Sequence, residues 1–269
     1  MANYEFGFIG TGHMGGALAK AAAQSIDPKR ILLANRTPDK ARQLAERLGC
    51  AWGGNEEAAG ARFIMLGVKP QMMADMLAGI APVLAARQDR FVLVTMAAGL
   101  SMEKISALAG GDYPVIRVMP NTPVEIGHGV ILMDANEKVT DEEKGDFLRA
   151  LNAAGQFEML EEKLIDAGSA ITGCGPAFAY LFMEALADGG VACGLPRAKA
   201  LSFAANMLEG AASLAGNSEK HPGELKDDVC SPAGSTIAGV RALEQRAFRG
   251  AVMDAVIAAC EKTKELGKA

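Results

Sequence analysis

The chain has 269 residues, a net charge of −5 and 50% hydrophobic residues, enough to bury a core in one large or two smaller domains. The acidic balance argues against a nucleic-acid partner. No stretch approaches the roughly 20 uninterrupted apolar residues of a membrane span, and no signal-like leader precedes the first predicted strand, so we expect no membrane partner. The five cysteines are scattered and form no CxxC or Cys/His cluster, which indicates neither a disulfide framework nor a metal site. We therefore predict a soluble, reduced, cytoplasmic protein.

A glycine-rich turn, Gly10-Thr11-Gly12-His13-Met14-Gly15, lies near the N-terminus. It follows an apolar run at residues 6–9, which predicts a strand, and it precedes an alanine-rich stretch, which predicts a helix. A strand that ends in G-x-G-x-x-G and opens a helix directs backbone N–H groups towards a pyrophosphate. The motif in this context predicts a dinucleotide site, and the alternative is a glycine-rich turn of some other α/β protein.

The second predicted strand, residues 30–34, ends in Asn35 and Arg36. In NAD sites an acidic residue at this strand end, about 20 residues beyond the glycines, binds the ribose 2′-hydroxyl. Here an amide and a guanidinium stand in its place, and both suit a 2′-phosphate. The pair favours NADP over NAD, although a solvated loop residue is the ordinary alternative for Arg36.

Strands and helices alternate over the first part of the chain. After the first two strands, apolar runs predict further ones at residues 50–52, 62–68, 91–96, 115–119 and 130–133. A capping box of Thr140 and Glu143 opens the last helix of this part. The alternation predicts an α/β Rossmann domain with a doubly wound, mostly parallel sheet, which we place at residues 1–161.

Beyond about residue 160 the strand signal stops, and the sequence predicts five or six helices. We assign residues 162–269 to an all-helical domain. Its stretches at 180–192 and 198–214 are apolar on more than one face and must be buried on several sides. About a hundred residues form a thin core alone, so the pattern predicts an oligomer built through this half. Packing only against the first domain is the alternative.

Two groups of residues are candidates for a site. Ligands of a doubly wound sheet bind beyond the carboxyl ends of the strands, and the predicted strand ends there carry Val68-Lys69-Pro70 and the small residues from Ala97 onward. For Lys69 the alternative is an ordinary solvated lysine.

The second group is Ser231-Pro232-Ala233-Gly234-Ser235-Thr236-Ile237, which interrupts the helical half. Helical spacing follows it, so Ser235 and Thr236 are predicted at a helix N-terminus, whose N–H groups can bind a carboxylate. The Thr236 hydroxyl could meanwhile bond to a polar atom of the same ligand. The alternative is that Ser231, Ser235 and Thr236 simply cap helices.

Six motifs then occur in a characteristic order, at residues 10–15, 68–70, 119–123, 173–177, 221–227 and 231–237. With them the chain resembles the pyrroline-5-carboxylate reductase family over essentially its whole length, and the last motif is the most specific. The resemblance implies reduction of 1-pyrroline-5-carboxylate to L-proline with NADPH or NADH, as the last step of proline biosynthesis. It also implies a homodimer through the helical domain, with further assembly left open.

The resemblance also assigns site residues. It places the cofactor on Gly10, Thr11, Gly12, His13, Met14, Asn35, Arg36, Asn55, Val68, Lys69, Pro70 and Ala97. It places the substrate on Glu162, Ser231, Gly234, Ser235 and Thr236. The amides of residues 234–236 would hold the substrate carboxylate, and the Thr236 hydroxyl would face the ring nitrogen as the catalytic group.

Two departures from the family pattern stand out. Ala233 replaces a usual glycine, so we expect the loop to avoid a positive φ there. Asp228 stands where relatives often have an amide near the cofactor, which leaves that contact open.

Other readings compete with the reductase. A hydroxyacid dehydrogenase of similar layout would need a lysine in the first long helix of its second domain, and residues 164–198 contain none. Another NADP-dependent imine reductase, or a non-catalytic NADP-binding sensor, are the remaining alternatives. The three histidines, including His13 and His221, are predicted to be structural or solvated rather than catalytic.

Overall fold

The computed structural model describes residues 4–266. The chain divides into two compact units. The first unit runs to Cys174 and includes the segment from Ala259 onward, and the second unit is Gly175–Ala258. The domain boundary predicted at residues 161/162 stays a prediction.

An eight-stranded sheet forms the first unit, in the order β3-β2-β1-β4-β5-β6-β7-β8. Neighbouring strands are parallel except for β6 and β7. The chain order reverses between β1 and β4, which is where a doubly wound sheet opens a binding crevice. The strands are β1 Phe6–Ile9, β2 Ile31–Ala34, β3 Ala51–Gly53, β4 Phe63–Leu66, β5 Val92–Thr95, β6 Val115–Met119, β7 Gly129–Ala135 and β8 Gly155–Met159. The predicted doubly wound, mostly parallel architecture is confirmed.

Helices cover both faces of this sheet. They are α1 His13–Ser25, α2 Pro38–Leu48, α3 Asn55–Ala58, α4 Met73–Ala86, α5 Met102–Leu108, α6 Asp141–Ala150 and α7 Glu162–Thr172. Every residue of β1, β2, β4 and β5 is buried, as expected for apolar strands with helices on both sides. On one face Phe6 stacks on Phe63 with ring centroids 5.1 Å apart, and Phe147 of α6 packs against both rings.

Two local predictions in this unit have different outcomes. The capping box at the start of α6 is confirmed, since the Thr140 hydroxyl accepts the Glu143 N–H at 3.2 Å and the Glu143 carboxylate accepts the Thr140 N–H at 2.9 Å. Strand β8 is absent from the sequence-based prediction. It is an edge strand with exposed Gln156 and Glu158, and it therefore lacks the continuous apolar run that marks the central strands.

The second unit is helical. It contains α8 Gly175–Ala192, α9 Arg197–Gly216, α10 Pro222–Asp228 and α11 Ser235–Gln245, and α12 Phe248–Leu266 begins in it. With α7, the described residues beyond 160 thus form six helices, as predicted. Helices α8 and α9 pack against each other.

Apolar side chains of the second unit are largely exposed. Its buried hydrophobic residues are Ala187, Ala200 and Ala204 among those described, whereas Tyr180, Leu181, Phe203 and Met207 are exposed. By length and hydropathy alone, residues 162–192 would suffice to cross a membrane. That stretch is two helices, α7 and α8, separated by a turn at Gly173 and Cys174.

Candidate active site

The glycine-rich turn joins β1 to α1 with different steric demands at each glycine. Gly10 has φ +99°, and a Cβ there would lie 2.7 Å from the Gly67 carbonyl carbon. A Cβ on Gly15 would lie 2.1 Å from the Gly10 oxygen, whereas one on Gly12 would meet open space. Gly10 thus makes the tight turn, Gly15 permits close packing, and Gly12 leaves room for a ligand to approach the backbone.

Free polar groups converge at the same turn. Helix α1 begins after Gly12 without a side-chain cap, so its first amides have no partner from a capping side chain. Thr11 is 8% exposed, and its hydroxyl oxygen is buried without a hydrogen-bond partner among the described residues. A buried polar group without a partner is costly unless a ligand satisfies it. The residues therefore fit a bound pyrophosphate.

A cavity of about 590 Å³ opens beside this turn in the first unit. Of the predicted cofactor residues, it is lined by Gly10, Gly12, Asn35, Arg36, Asn55, Val68 and Lys69. Thr11, His13, Met14, Pro70 and Ala97 do not line it; they lie in the glycine turn, at the start of α1, after Lys69 and after β5. The structure thus brings together residues from the ends of β1, β2 and β4.

The cavity also contains residues that sequence reasoning missed. Lys40, in the first turn of α2, is a third cation of the lining besides Arg36 and Lys69, while Asp75 and Met76 of α4 form another part of it. The side-chain amide of Asn35 donates to the Thr37 carbonyl at 3.2 Å, which fixes the start of α2. A basic residue four positions after Arg36 is the only sequence signal that could have pointed to Lys40.

Glu162 lies in a network of charged groups in the first unit. Its Oε1 accepts the Met102 N–H at 2.6 Å and lies 3.5 Å from Nη1 of Arg117. Nη2 of Arg117 donates to Asp166 at 2.6 Å, and the Glu162 N–H donates to Asp134 at 2.6 Å. The network joins β6, β7 and α5 to the start of α7 and so fixes Glu162 in place.

Arg117 is the buried centre of that network. It is 3% exposed, and its Nε has no partner among the described residues. Sequence reasoning missed it, although a single arginine inside the apolar run 115–119 is a signal that could have pointed to it.

Helix α11 of the second unit begins at Ser235 with Gly234 as its N-cap residue and without a side-chain cap. Ser231, Ser235 and Thr236 are exposed. The alternative in which these hydroxyls cap this helix is therefore wrong, and the bare N-terminus is suited to a carboxylate.

The turn before α11 corrects one expectation. Ala233 has φ +60°, although we expected an alanine there to avoid positive φ. The Gly234 N–H donates to the Ser231 carbonyl at 3.0 Å, which closes a four-residue turn with Pro232 second and Ala233 third. A proline in second place followed by positive φ is the arrangement of a type II turn, so the turn geometry overrides the preference of alanine.

Polar residues in the preceding segment are engaged with one another. Asp228 pairs with Nζ of Lys220 at 2.6 Å, and His221 caps α10 by accepting the Gly223 N–H at 3.0 Å.

In the first unit, His13 lies 3.1 Å from the carboxylate of Glu125. These contacts agree with structural roles for both histidines.

Family models match both parts of the chain. A model described as pyrroline-5-carboxylate reductase dimerisation matches residues 162–266, and one described as NADP oxidoreductase coenzyme F420-dependent matches residues 5–99.

Individual relatives match nearly the whole chain. Pyrroline-5-carboxylate reductase of Pisum sativum is 41% identical and covers 98% of this chain and 96% of its own length. The Escherichia coli K12 enzyme of the same name is 37% identical, with 98% of each chain covered. The crystal structure of Plasmodium falciparum pyrroline carboxylate reductase with NADP bound superposes with a TM-score of 0.88 at 32% identity, covering 99% of both chains. The chain therefore belongs to the pyrroline-5-carboxylate reductase family.

Proposed function

We propose that this protein reduces 1-pyrroline-5-carboxylate to L-proline with NADPH, as the last step of proline biosynthesis. The main support for the proposal is the family match over nearly the full chain, because the match includes both the glycine-turn cavity and the Ser231–Thr236 motif. The Plasmodium relative has NADP bound, which supports the choice of cofactor.

The first unit would hold the cofactor. The glycine turn and the free N–H groups of His13 and Met14 suit the pyrophosphate, and the buried Thr11 hydroxyl gains a partner there. When bound, NADPH supplies the hydride for the imine carbon. The remaining roles are positional. Asn35 and Arg36 would bind the 2′-phosphate, and Asn55 would contact the adenosine. The part of the cleft that leads to the nicotinamide would be lined by Val68, Lys69, Pro70 and Ala97. NADH remains an alternative cofactor.

The second unit would hold the substrate. The N–H groups of Gly234, Ser235 and Thr236 at the uncapped start of α11 suit its carboxylate, with the Ser231 hydroxyl beside them. The Thr236 hydroxyl would hold the ring nitrogen. A cyclic imine protonates readily near neutral pH, so aligning the ring matters more than a strong general acid. Glu162 would stand near the substrate, kept in orientation by Met102 and Arg117.

Assembly and location complete the proposal. The exposed apolar residues of α8 and α9 and the dimerisation-family match support a homodimer through residues 162–266, which could assemble further. The scattered cysteines are consistent with a reducing cytoplasm.

The test mixes the full-length protein, NADPH and 1-pyrroline-5-carboxylate and follows the NADPH absorbance band, with proline measured as product. We expect NADPH oxidation and proline formation in equal amounts. Tight NADPH binding without oxidation would instead favour the non-catalytic sensor. Oxidation only with bulkier imines or keto acids would favour another reductase.

A further inference from the structure

An exposed tryptophan lies at one edge of the sheet. Trp52 is the only tryptophan of the chain, and it is 48% exposed in the middle of the edge strand β3. It belongs to none of the hydrophobic clusters that the described residues form. Its ring therefore adds little to the core of the first unit.

Trp52 lines a second cavity of about 730 Å³ in the first unit. Pro38, Gly79 and Ile80 also line this cavity. It shares Asn35, Arg36, Asn55, Asp75 and Met76 with the cavity beside the glycine turn. The two cavities adjoin at these shared residues, and we call them together the cofactor cleft; the glycine turn lines one part of it and Trp52 the other.

The order of groups along the cleft indicates what reaches Trp52. The glycine turn suits a pyrophosphate, and Asn35 and Arg36, common to both cavities, suit a phosphate on the ribose. The next group of an adenine dinucleotide in that direction is the base. An aromatic ring is a stacking surface for a base because every base has a π-face.

No arginine occupies this ring in the described structure. The arginine–aromatic contacts found there join Arg62 to Phe63 and Arg87 to Phe91. Arg36 thus remains available for a phosphate, and the face of Trp52 remains available for a base.

We propose that Trp52 is the stacking surface for the adenine base of the dinucleotide and carries much of the affinity for the adenosine half of NADPH. This inference rests on the proposed function for its cofactor. It assigns Trp52 to binding and gives it no part in hydride transfer.

The test uses the full-length protein and 2′,5′-ADP, which has the base and the 2′-phosphate but no nicotinamide. As the only tryptophan, Trp52 reports binding by its fluorescence, and we expect saturable quenching by 2′,5′-ADP. By calorimetry, Trp52→Ala should weaken the binding of 2′,5′-ADP and of NADPH about tenfold, equivalent to about 1.4 kcal/mol. Trp52→Phe keeps a ring and should stay within about threefold of wild type.

Met159→Ala is the matched control, because Met159 is an exposed apolar residue on β8, the opposite edge of the same sheet. It should bind both nucleotides as wild type does. Unchanged 2′,5′-ADP affinity in Trp52→Ala, or no quenching in the wild type, would overturn the assignment. Failure of the proposed function is distinguishable, since NADPH would then quench Trp52 normally while pyrroline-5-carboxylate caused no oxidation.

Discussion

The two units bury their apolar side chains in opposite ways. In the first unit, helices cover both faces of the sheet, and the three hydrophobic clusters of the described residues all lie there. In the second unit the buried hydrophobic residues are alanines, while Phe203 and Met207 of α9 are exposed. Burying one such large side chain stabilises by about 1.5–3 kcal/mol. The first unit therefore contains a complete core, whereas the second leaves large apolar side chains exposed, and our proposal is that a second copy of the chain covers them.

The largest expected effect tests that incomplete core. Phe203 and Met207 are four residues apart and share one face of α9. In the double variant Phe203→Asp/Met207→Asp, a homodimer would lose four buried side chains, together about 6–12 kcal/mol. We expect monomers by light scattering after size exclusion. Met159→Asp, at an exposed position of the first unit, should leave assembly intact. A double variant that remains dimeric would show that α9 is not covered by a partner.

A second prediction tests whether the second unit carries chemistry as well as assembly. Thr236→Ala removes a hydroxyl at the start of α11 while leaving the amides in place. A hydrogen bond to a charged group contributes about 1.5–3 kcal/mol, so kcat/KM for pyrroline-5-carboxylate should fall about a hundredfold. The Kd for NADPH should not change, and Thr236→Ser should retain most of the activity. Near-normal kcat/KM in Thr236→Ala would remove Thr236 from the catalytic role.

The difference between the units also explains what the sequence could predict. The central strands appear as continuous apolar runs because helices bury both of their faces, and the glycine turn has a local pattern that fixes its structure. The six helices of the second half follow from composition and spacing. These features depend on residues close together in the chain.

What the sequence could not predict depends on distant or compensating contacts. Strand β8 is recognisable only from its pairing with β7, and Arg117 acquires its role from Glu162 and Asp166, more than 40 residues away. The positive φ of Ala233 follows from the turn that Pro232 begins, against the preference of alanine itself.

A third prediction concerns a buried carboxylate that stabilises the first unit. The buried Glu143 carboxylate accepts two hydrogen bonds from Arg90, at 2.7 and 2.9 Å, besides the Thr140 N–H. Burial alone would raise the pKa of Glu143, but these bonds outweigh it and hold the pKa below the ordinary 4.5. Glu143→Gln should therefore lower the free energy of unfolding by about 2 kcal/mol at pH 7.

The pH dependence of that loss has a definite sign. A lowered native pKa means that the unfolded state binds more protons, so the stabilisation is present above the ordinary pKa of glutamate and disappears as pH falls through the native value. In denaturant titrations, the gap between wild type and Glu143→Gln should close below about pH 4. Glu142→Gln, at an exposed neighbour, is the control and should shift stability little. A gap that persists in acid would mean that shape rather than charge matters at Glu143.

A fourth prediction tests the cofactor cleft of the first unit. Arg36→Ala removes a cation that lines the cleft with Asn35 and Lys40. It should weaken the binding of NADPH about tenfold, or about 1.4 kcal/mol, and leave the affinity for NADH nearly unchanged. Lys40→Ala should also weaken the binding of NADPH more than that of NADH. Calorimetry that gives the Kd of both nucleotides for each variant checks both expectations. Equal losses for NADPH and NADH would place neither cation at the 2′-phosphate.

The smallest expected effect is a gain in the second unit. A left-handed conformation costs an ordinary residue about 1–2 kcal/mol, and Ala233 has it at φ +60°. Ala233→Gly relieves that strain, but glycine makes the unfolded chain more flexible, which costs about 0.4–1 kcal/mol of folding free energy. The net result should be about 0.5–1 kcal/mol of added stability by denaturant unfolding. Ala238→Gly, inside α11, should instead destabilise by about 1 kcal/mol, because glycine weakens a regular helix. If both variants lose stability alike, the turn before α11 does not hold Ala233 in the left-handed region in solution.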